Sequence, residues 1–515
     1  MKRFTMAVML GLMIVALSAT VYAQPKLDFR VSGFLDVVTE WWKNAVSGTY
    51  GATGGEQALD IQQVNKSNAY VEQRLRLKFD MVMGKELSGT IFFEGDSTNW
   101  GDTNPSGSQR NSMGYWSADR AALEIKNVYI DWAIPYFGIP VPMMMRAGIQ
   151  PFSIRNDIFA YTDGAGVKVD MNPDPFGFSL MWFKPWEGRQ GDADDVDVYG
   201  LWGQYKYEKL TFGAYGTYWN MNTVPINLAS NYAYGVNQSF QADMWWFGAY
   251  MDGKMGPVMT KFDFVYDFGN VDYRDPYQGQ KLDFNGWVVR GYVTYPWELF
   301  EFGGAGMYAS GDDYKKTGRT HRAGDPSPWY GGVLDPAAPK VPAKKVNAYV
   351  VPPGSESPAI AGDSLVMYSS WVNRGNTGIA NRTDYAGLAG STYGGTWFLQ
   401  AFGTYKPCPW YKATLKAFYI GDTTKNGDTF GSRRDASGTL KDNNTIGWEF
   451  DFYNEFQIYK NLKYTLAGGY MLAGDAFSKQ TAYIPAGNAL GIAPGYININ
   501  LKDPWIITSC LIYNF

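Results

Sequence analysis

Charged side chains at every second position are the residues of this sequence best suited to act together. Arg74, Arg76 and Lys78 have this spacing, and so do Glu449 and Asp451. Successive side chains of a strand point to opposite faces, so each set lies on one face of its strand. If the strands close around water, that face lines the interior. The residues that we predict to line such a pore are Arg74, Arg76, Lys78, Arg146, Lys168, Arg290, Asp263, Asp267, Glu449 and Asp451.

The signs of these charges differ along the chain. The basic residues cluster in the early strands, whereas several acidic residues, among them Asp263, Asp267 and Glu449, fall in later ones. Opposed rows of charge across a pore create a transverse field that orders water and favours polar over apolar solutes. We therefore predict that one side of the pore is a basic wall formed by Arg74, Arg76, Lys78 and Arg146. The alternative is that these side chains only solvate a lumen too wide to discriminate between solutes.

Residues suited to catalysis are few. The sequence has one histidine, His321, and a hydrolase of the Ser-His or Asp-His type would need it as general base. A histidine in an exposed loop is usually incidental. We predict no catalytic residue and no enzyme activity, and an outer-membrane hydrolase stays as an alternative.

Two acidic stretches have residues that calcium accepts as ligands. Asp422 begins a stretch that resembles a calcium loop, but its twelfth position is Arg433 rather than a bidentate Glu. A second run of aspartates lies between Asp192 and Asp197, where a solvated loop is the simpler interpretation. The sequence has neither a zinc spacing nor a phosphate-binding glycine motif. We predict no metal site and no cofactor.

Apolar residues occupy the positions between the charged ones. Leu75, Leu77 and Phe79 alternate with the first basic set, which is the period-two pattern of a strand with one apolar face. In a soluble protein this face would be the core. In a membrane barrel the apolar face meets lipid and the charged face meets water. The period alone does not choose between the two.

The last strand favours the membrane barrel. Trp505, Ile507, Leu511, Tyr513 and Phe515 share one face of the final stretch. A soluble protein seldom ends on such a strand, because it leaves a free edge with an apolar face. A membrane barrel needs the strand to pair with the first one and remove the edge.

Similar strands recur along the chain, and about eighteen can be drawn, with sixteen also possible. Short turns such as Gly84–Glu86 alternate with longer loops, as in a barrel whose two ends lie on the same side. In 123–134 the apolar phase slips after Asn127, which predicts a bulge. The predicted fold is all-β: a transmembrane antiparallel up-and-down β-barrel with short periplasmic turns and long extracellular loops.

The chain divides into a predicted signal peptide at 1–23 and one barrel domain at 24–515. The signal has a basic start, a short apolar run and a small-residue cleavage site before Gln24. Within the barrel, 312–395 is far longer than an ordinary loop, and we expect it either to cap the mouth or to fold into the lumen. With 45 basic and 49 acidic residues, the chain lacks the positive charge of a general nucleic-acid binder.

Three short stretches resemble Gram-negative outer-membrane porins: Asn127–Trp132, Arg146–Phe152 and Asp163–Lys168. In those porins a strand that ends near a Gly-Arg-Gln-like segment leads into the third loop. Here the order differs, because Arg146 precedes Gly148. The resemblance implies a water-filled channel in the outer membrane for small hydrophilic solutes and ions, often a homotrimer.

The sequence thus predicts a porin for passive diffusion, with the lipid bilayer and small permeants as its partners and without nucleic acid. An alternative within transport is a substrate-selective or polysaccharide-export channel gated by 312–395. The alternatives from other classes are the hydrolase and a surface-binding barrel.

Overall fold

The structure is a computed structural model. It describes residues 26–44, 67–101, 123–135, 141–187, 195–222, 240–273, 281–311, 345–355, 364–368, 393–425, 433–434, 440–441, 443–484 and 495–515. The predicted signal peptide at 1–23 lies outside these residues.

Eighteen antiparallel strands form the body of the molecule. They are β1 (Leu27–Lys43), β2 (Ser67–Met83), β3 (Leu87–Asn99), β4 (Glu124–Ala133), β5 (Met143–Ile154), β6 (Ala160–Met171), β7 (Phe176–Trp186), β8 (Val196–Tyr207), β9 (Leu210–Met221), β10 (Phe240–Met255), β11 (Val258–Tyr273), β12 (Lys281–Trp297), β13 (Phe300–Ala309), β15 (Thr396–Cys408), β16 (Tyr411–Asp422), β19 (Thr445–Tyr459), β20 (Leu462–Ala473) and β23 (Trp505–Asn514).

Short elements lie between these strands. They are β14 (Lys345–Val346), β17 (Arg433–Arg434), β18 (Leu440–Lys441), β21 (Lys479–Ile484), β22 (Gly495–Asn500) and the helix α1 (Asp475–Ser478). β14 pairs in parallel with β12, whereas β17 pairs with β18 and β21 with β22. Among the described residues, no helix combines the length and the apolar character needed to cross a membrane.

The sheet closes on itself through its first and last strands. β1 pairs antiparallel with β23 from Phe34 opposite Asn514 to Lys43 opposite Trp505. Beyond the ladder, the Gly33 and Phe515 backbones exchange two hydrogen bonds of 3.0 Å. Closure gives each of the eighteen barrel strands a neighbour on both sides, so the sheet has no free first or last strand. The prediction that the final strand closes a barrel of eighteen strands is confirmed.

Apolar side chains cover the outside of this barrel. Leu201, Leu399 and Leu415 lie within β8, β15 and β16, yet 55%, 61% and 57% of their surface is exposed. Their sequence neighbours on the same strands point inward. A closed sheet with an even number of strands and an apolar outer face is the architecture of proteins that span the outer membrane. The predicted fold and its location in the Gram-negative outer membrane follow from this arrangement.

Aromatic rings concentrate near both ends of the outer face. At one end the rings in contact include the pairs Tyr218–Trp245, Trp287–Tyr308, Tyr419–Trp448 and Trp41–Trp505. At the other end they include Phe176–Tyr205, Phe300–Tyr405, Tyr411–Phe456 and Tyr513–Phe515. Amphipathic rings prefer the boundary between hydrocarbon and water, so the two belts mark the membrane span.

The connections alternate in length, as predicted. The turns Gly84–Glu86, Glu208–Lys209, Glu298–Leu299 and Lys460–Asn461 lie at the end of the barrel that holds Leu27 and Phe515. We call this the turn end and the opposite one the loop end. The bulge expected after the slip in 123–134 is also present, because Phe92 pairs with Asn127 while Phe93 pairs with Ile125. Lys126 is the extra residue.

We expect Leu201→Arg to destabilise the barrel by about 2–4 kcal/mol, the cost of an arginine on the lipid face near the bilayer centre. The matched control is Gln204→Arg on the same strand, whose side chain points into the barrel. Equilibrium unfolding by urea in lipid vesicles measures both. Equal losses of stability would contradict the assignment of the two faces.

Candidate functional site in the barrel interior

Part of the wall folds into the interior. β5 and β6 pair with each other up to Ile154 and Ala160, but β4 pairs with β5 only as far as Ile149. On the other side, β7 pairs with β6 only from Gly166 onward. Residues 150–164 therefore leave the barrel wall together as a two-stranded unit, which we call the inner hairpin.

Two glycines stand where the inner hairpin leaves the wall. Gly148 and Gly166 face each other across β5 and β6, and Gly148 has a φ of 133°. A Cβ on Gly148 would lie 2.2 Å from the carbonyl oxygen of Val128, and one on Gly166 would lie 2.5 Å from that of Trp182. Gly148 is needed for its backbone angle and for the close approach of the neighbouring strand, whereas Gly166 is needed for the close approach alone.

Arg155 binds the hairpin tip to the opposite wall. Its Nη2 donates hydrogen bonds to Asp252 at 3.1 Å and to Asp263 at 2.8 Å, and its guanidinium lies 4.4 Å from the ring centre of Tyr250. Arg155 has a φ of 45°, unusual for a residue other than glycine. Such backbone angles persist only where surrounding contacts impose them, as these two carboxylates do.

A second ion pair holds the tip. The Arg290 Nη1 donates to the carboxylate of Asp157 at 3.1 Å. Burial by itself raises the pKa of Asp157, but the guanidinium groups of Arg290 and Arg155 outweigh it and hold this pKa below its ordinary value. Asp157 is therefore a carboxylate at neutral pH, and the contact is charged.

Aromatic packing fills the interior between the inner hairpin and the wall. Phe159 stacks on Tyr215 with ring centres 4.9 Å apart, and Phe152 meets Phe183 edge-on at 5.0 Å. Trp246 belongs to the same cluster and is fully buried. The interior beside β7 to β10 is thus a packed apolar core in this region.

The described part of the long connection, 312–395, also lies inside the barrel. The Tyr349 hydroxyl donates to the carbonyl of Ile158 at 2.8 Å, and Ser355 donates to that of Phe159 at 3.0 Å. Ala348 to Val351 and Leu365 to Tyr368 are almost completely buried. Of the two expected positions for this connection, folding into the lumen is the one that the described residues adopt.

Three of the ten predicted pore-lining residues hold this connection and do not face water. Asp267, Glu449 and Asp451 point inward as expected, but their exposed surface is 0%. The Asp267 carboxylate accepts a hydrogen bond from the Val350 N–H at 3.1 Å. Glu449 and Asp451 accept hydrogen bonds from the backbone N–H groups of Leu365, Val366 and Met367, and Glu449 accepts another from the Ser364 hydroxyl. The alternation placed them on the correct face, but a polar backbone occupies the space assigned to water.

The other seven residues also point inward, and nearby carboxylates compensate the basic ones. Arg74 and Arg76 lie 3.2 Å and 2.8 Å from Glu94. The remaining pairs are Lys78–Asp80, Arg146–Asp131, Lys168–Asp170, Arg290–Asp157 and Asp263–Arg155. Local pairing replaces the expected rows of opposite charge, so the sequence argument for a transverse field is not supported by these contacts.

Several residues that organise the interior were not predicted from the sequence. Arg155, Asp157 and Asp252 fix the hairpin tip, while Glu94 and Lys126 form an ion pair of 3.1 Å within the early cluster. The apolar residues of β5 change from odd positions at Ala147 and Ile149 to even positions at Phe152 and Ile154, where the inner hairpin begins. This change of phase and the facing pair of glycines at the base of the hairpin are the signals that the sequence offers.

A water-accessible cavity lies beside the hairpin tip. Its volume is about 500 Å³, and its polar lining includes Lys261, Arg290, Lys416 and Glu455. The stacked rings of Tyr292 and Phe402, 5.5 Å apart, complete its wall. The candidate base His321 lies outside the described residues. Within the described part of the chain, no group of three or more His, Cys, Asp or Glu side chains is placed to hold a metal ion.

Comparison with known proteins gives similarity of fold. No protein-family model matches the sequence, and no curated protein matches it. Among solved structures, OccK1 (OpdK) of Pseudomonas aeruginosa is similar, with 8% identity, a TM-score of 0.48 and coverage of 94% of this chain and 98% of that one. OpdQ of the same organism has 10% identity, a TM-score of 0.47 and coverage of 95% and 98%. The outer membrane protein OpdK has 9% identity, a TM-score of 0.46 and coverage of 94% and 99%.

Replacing Arg155 with Met should loosen the hairpin tip. It leaves Asp252 and Asp263 close together without their shared cation, and losing one partner of a buried pair costs about 3–5 kcal/mol. We expect a smaller loss, because the side chain of Asp252 is 31% exposed. Single-channel recording should show higher or noisier conductance. Arg30→Met is the control, since its pair with Asp28 is more than half exposed and such pairs contribute about 0–1 kcal/mol.

The contact between Asp157 and Arg290 should survive mild acid. A carboxylate whose pKa is depressed by folding stabilises the fold above its unfolded pKa, about 3.9, and the contribution is lost as pH falls through the folded pKa. The difference in conductance between wild type and Asp157→Asn should therefore stay constant from pH 7 to about pH 4. It should shrink only at lower pH. A difference that vanishes near pH 6 would contradict the depressed pKa.

Proposed function

We propose that this protein forms a water-filled channel through the outer membrane for the passive diffusion of small hydrophilic solutes and ions. The observation that carries the proposal is the inversion of the barrel. Leucines and aromatic rings cover its outer face, whereas ion pairs and a polar cavity lie on its inner face. An aqueous path bordered by paired charges admits polar solutes and disfavours apolar ones.

The interior also favours a second candidate, a substrate-selective channel gated by 312–395. The inner hairpin and the described part of this connection contact each other through Tyr349 and Ser355. Together they fill one sector of the barrel with packed side chains. Permeants are thereby confined to the unfilled part of the lumen. The channel therefore discriminates between solutes by size more strongly than an empty barrel of eighteen strands would.

Two further features belong to the proposal. Export would use the predicted signal peptide at 1–23, which is removed on secretion. Assembly into a homotrimer is what the resemblance to porins implies, with each barrel as a separate channel. The pore-lining roles of the seven paired residues are likewise part of the proposal, because local ion pairs fix the side chains at the margin of the water path.

Purified protein in planar lipid bilayers tests the proposed channel. We expect stepwise, ohmic conductance that falls when a sugar small enough to enter the channel is added, and that falls less with a sugar too large to enter. Deleting 320–390 should raise the conductance, because this segment belongs to the connection that enters the lumen. Saturation or block by one solute would favour the selective channel. Protein that inserts and folds but conducts no ions, both intact and after the deletion, would overturn the proposal.

A further inference from the structure

The same arrangement occurs at two places where the long connection meets the wall. At each place an inward carboxylate on one strand faces a glycine on the next strand. Asp267 on β11 pairs with Gly286 on β12, and Asp451 on β19 pairs with Gly469 on β20. The connection lies over the glycine, and the carboxylate accepts hydrogen bonds from its backbone. We call these two places the carboxylate–glycine docks.

In the first dock, Asp267 binds the wall and the connection at once. One of its oxygens accepts the Gly286 N–H and the other accepts the Val350 N–H, each at 3.1 Å. The Trp246 indole N–H donates to the Val350 carbonyl at 2.8 Å. Val350 therefore has both backbone groups satisfied by the wall, as a residue inside a sheet would have.

In the second dock, two carboxylates bind three consecutive N–H groups. Asp451 accepts from Leu365 at 3.0 Å, while Glu449 accepts from Val366 at 2.6 Å and from Met367 at 3.0 Å. Successive N–H groups that converge on carboxyl oxygens form a concave site in which each N–H has an acceptor. The wall thus supplies the acceptors that 365–367 would otherwise find in a sheet or in water.

The glycines are needed for space. A Cβ on Gly286 would lie 2.5 Å from the Ala348 carbonyl oxygen and 2.7 Å from the Asp267 carboxylate. A Cβ on Gly469 would lie 2.7 Å from the Asp451 carboxylate and 2.9 Å from the Cβ of Leu365. Distances below 3.0 Å force atoms apart, and at both docks the first atoms met belong to the connection or to the carboxylate that holds it.

We propose that the two docks are positioning sites that hold the long connection inside the lumen and thereby set the size limit of the channel. The inference rests on the proposed channel function and deepens it, because it names the residues that determine which solutes pass. The docks act through the connection: they need not touch the permeant. Four strand intervals separate β12 from β19, so the connection is fixed at two distinct positions around the wall.

Single glycine substitutions test the docks with little other change. Gly286→Ala and Gly469→Ala each add one methyl group where the connection lies. The matched controls are Gly291→Ala on β12, where a Cβ meets no atom within 4 Å, and Gly468→Ala on β20, where the nearest atom is 3.7 Å away. Asp267→Asn and Glu449→Gln form a second set, in which the new amide NH₂ faces a backbone N–H donor and cannot accept from it.

One readout is permeation. Liposome swelling with arabinose and raffinose compares a small and a larger neutral sugar. In the dock variants we expect the raffinose rate to rise relative to the arabinose rate, together with the single-channel conductance. The control variants should keep the wild-type ratio. Equal ratios in dock variants, controls and wild type would overturn the proposed docks and leave the channel function standing.

The other readout does not depend on conduction. In a background with Cys408→Ser and Cys510→Ser, a cysteine introduced as Met367→Cys or Val351→Cys reports on the connection, because the native side chains are 0% and 2% exposed. Labelling by a membrane-impermeant maleimide should be faster with Gly469→Ala for the first and with Gly286→Ala for the second. Unchanged labelling in correctly folded variants would overturn the docks. Faster labelling in a protein that never conducts would support the docks and overturn the channel.

Discussion

The absence of water inside a bilayer is the constraint on which this structure depends. Every backbone N–H and C=O in the span must find a partner within the protein, and a closed ladder of strands is one of two ways to achieve it. The pairing of β1 with β23 completes that ladder. Because β1 and β23 are antiparallel, β1 begins at the end of the barrel where β23 ends, which requires an even number of strands.

The same requirement reaches into the lumen. When the inner hairpin leaves the wall, it keeps the ladder between β5 and β6 but loses its outer neighbours. Residues 348–351 and 364–368 of the long connection belong to no strand, and several of their N–H groups meet acceptors other than a neighbouring strand. Carboxylates of the wall provide them at Asp267, Glu449 and Asp451. A buried carboxylate is costly by itself, and several N–H donors at hydrogen-bond distance reduce that cost.

The barrel wall could be predicted from the sequence because its residues repeat a local rule. Alternation identified the strands, the apolar final strand identified closure, and a slip of phase identified the bulge at Lys126. The rule is local, so it could not reveal contacts between distant elements. Arg155 binds Asp263 across 108 positions, and Tyr349 binds Ile158 across 191. The spacing of residues along the chain predicts neither contact, and the loop that contains Tyr349 has no regular alternation of apolar and polar residues.

Asp267, Glu449 and Asp451 point inward as predicted but contact the long connection, which the pattern of a single strand could not show. An inward acid on a strand has the same pattern whether it meets water, as Asp170 does beside Lys168, or a buried backbone, as Asp451 does. What separates the two environments is the residue on the neighbouring strand. Ser179 faces Asp170 on the neighbouring strand, and its side chain occupies the interior. Gly469 faces Asp451 and leaves room for the long connection against the wall. An inward acid paired across strands with a glycine therefore indicates a place where the interior is occupied by the chain itself, and it becomes readable once the strand register is known.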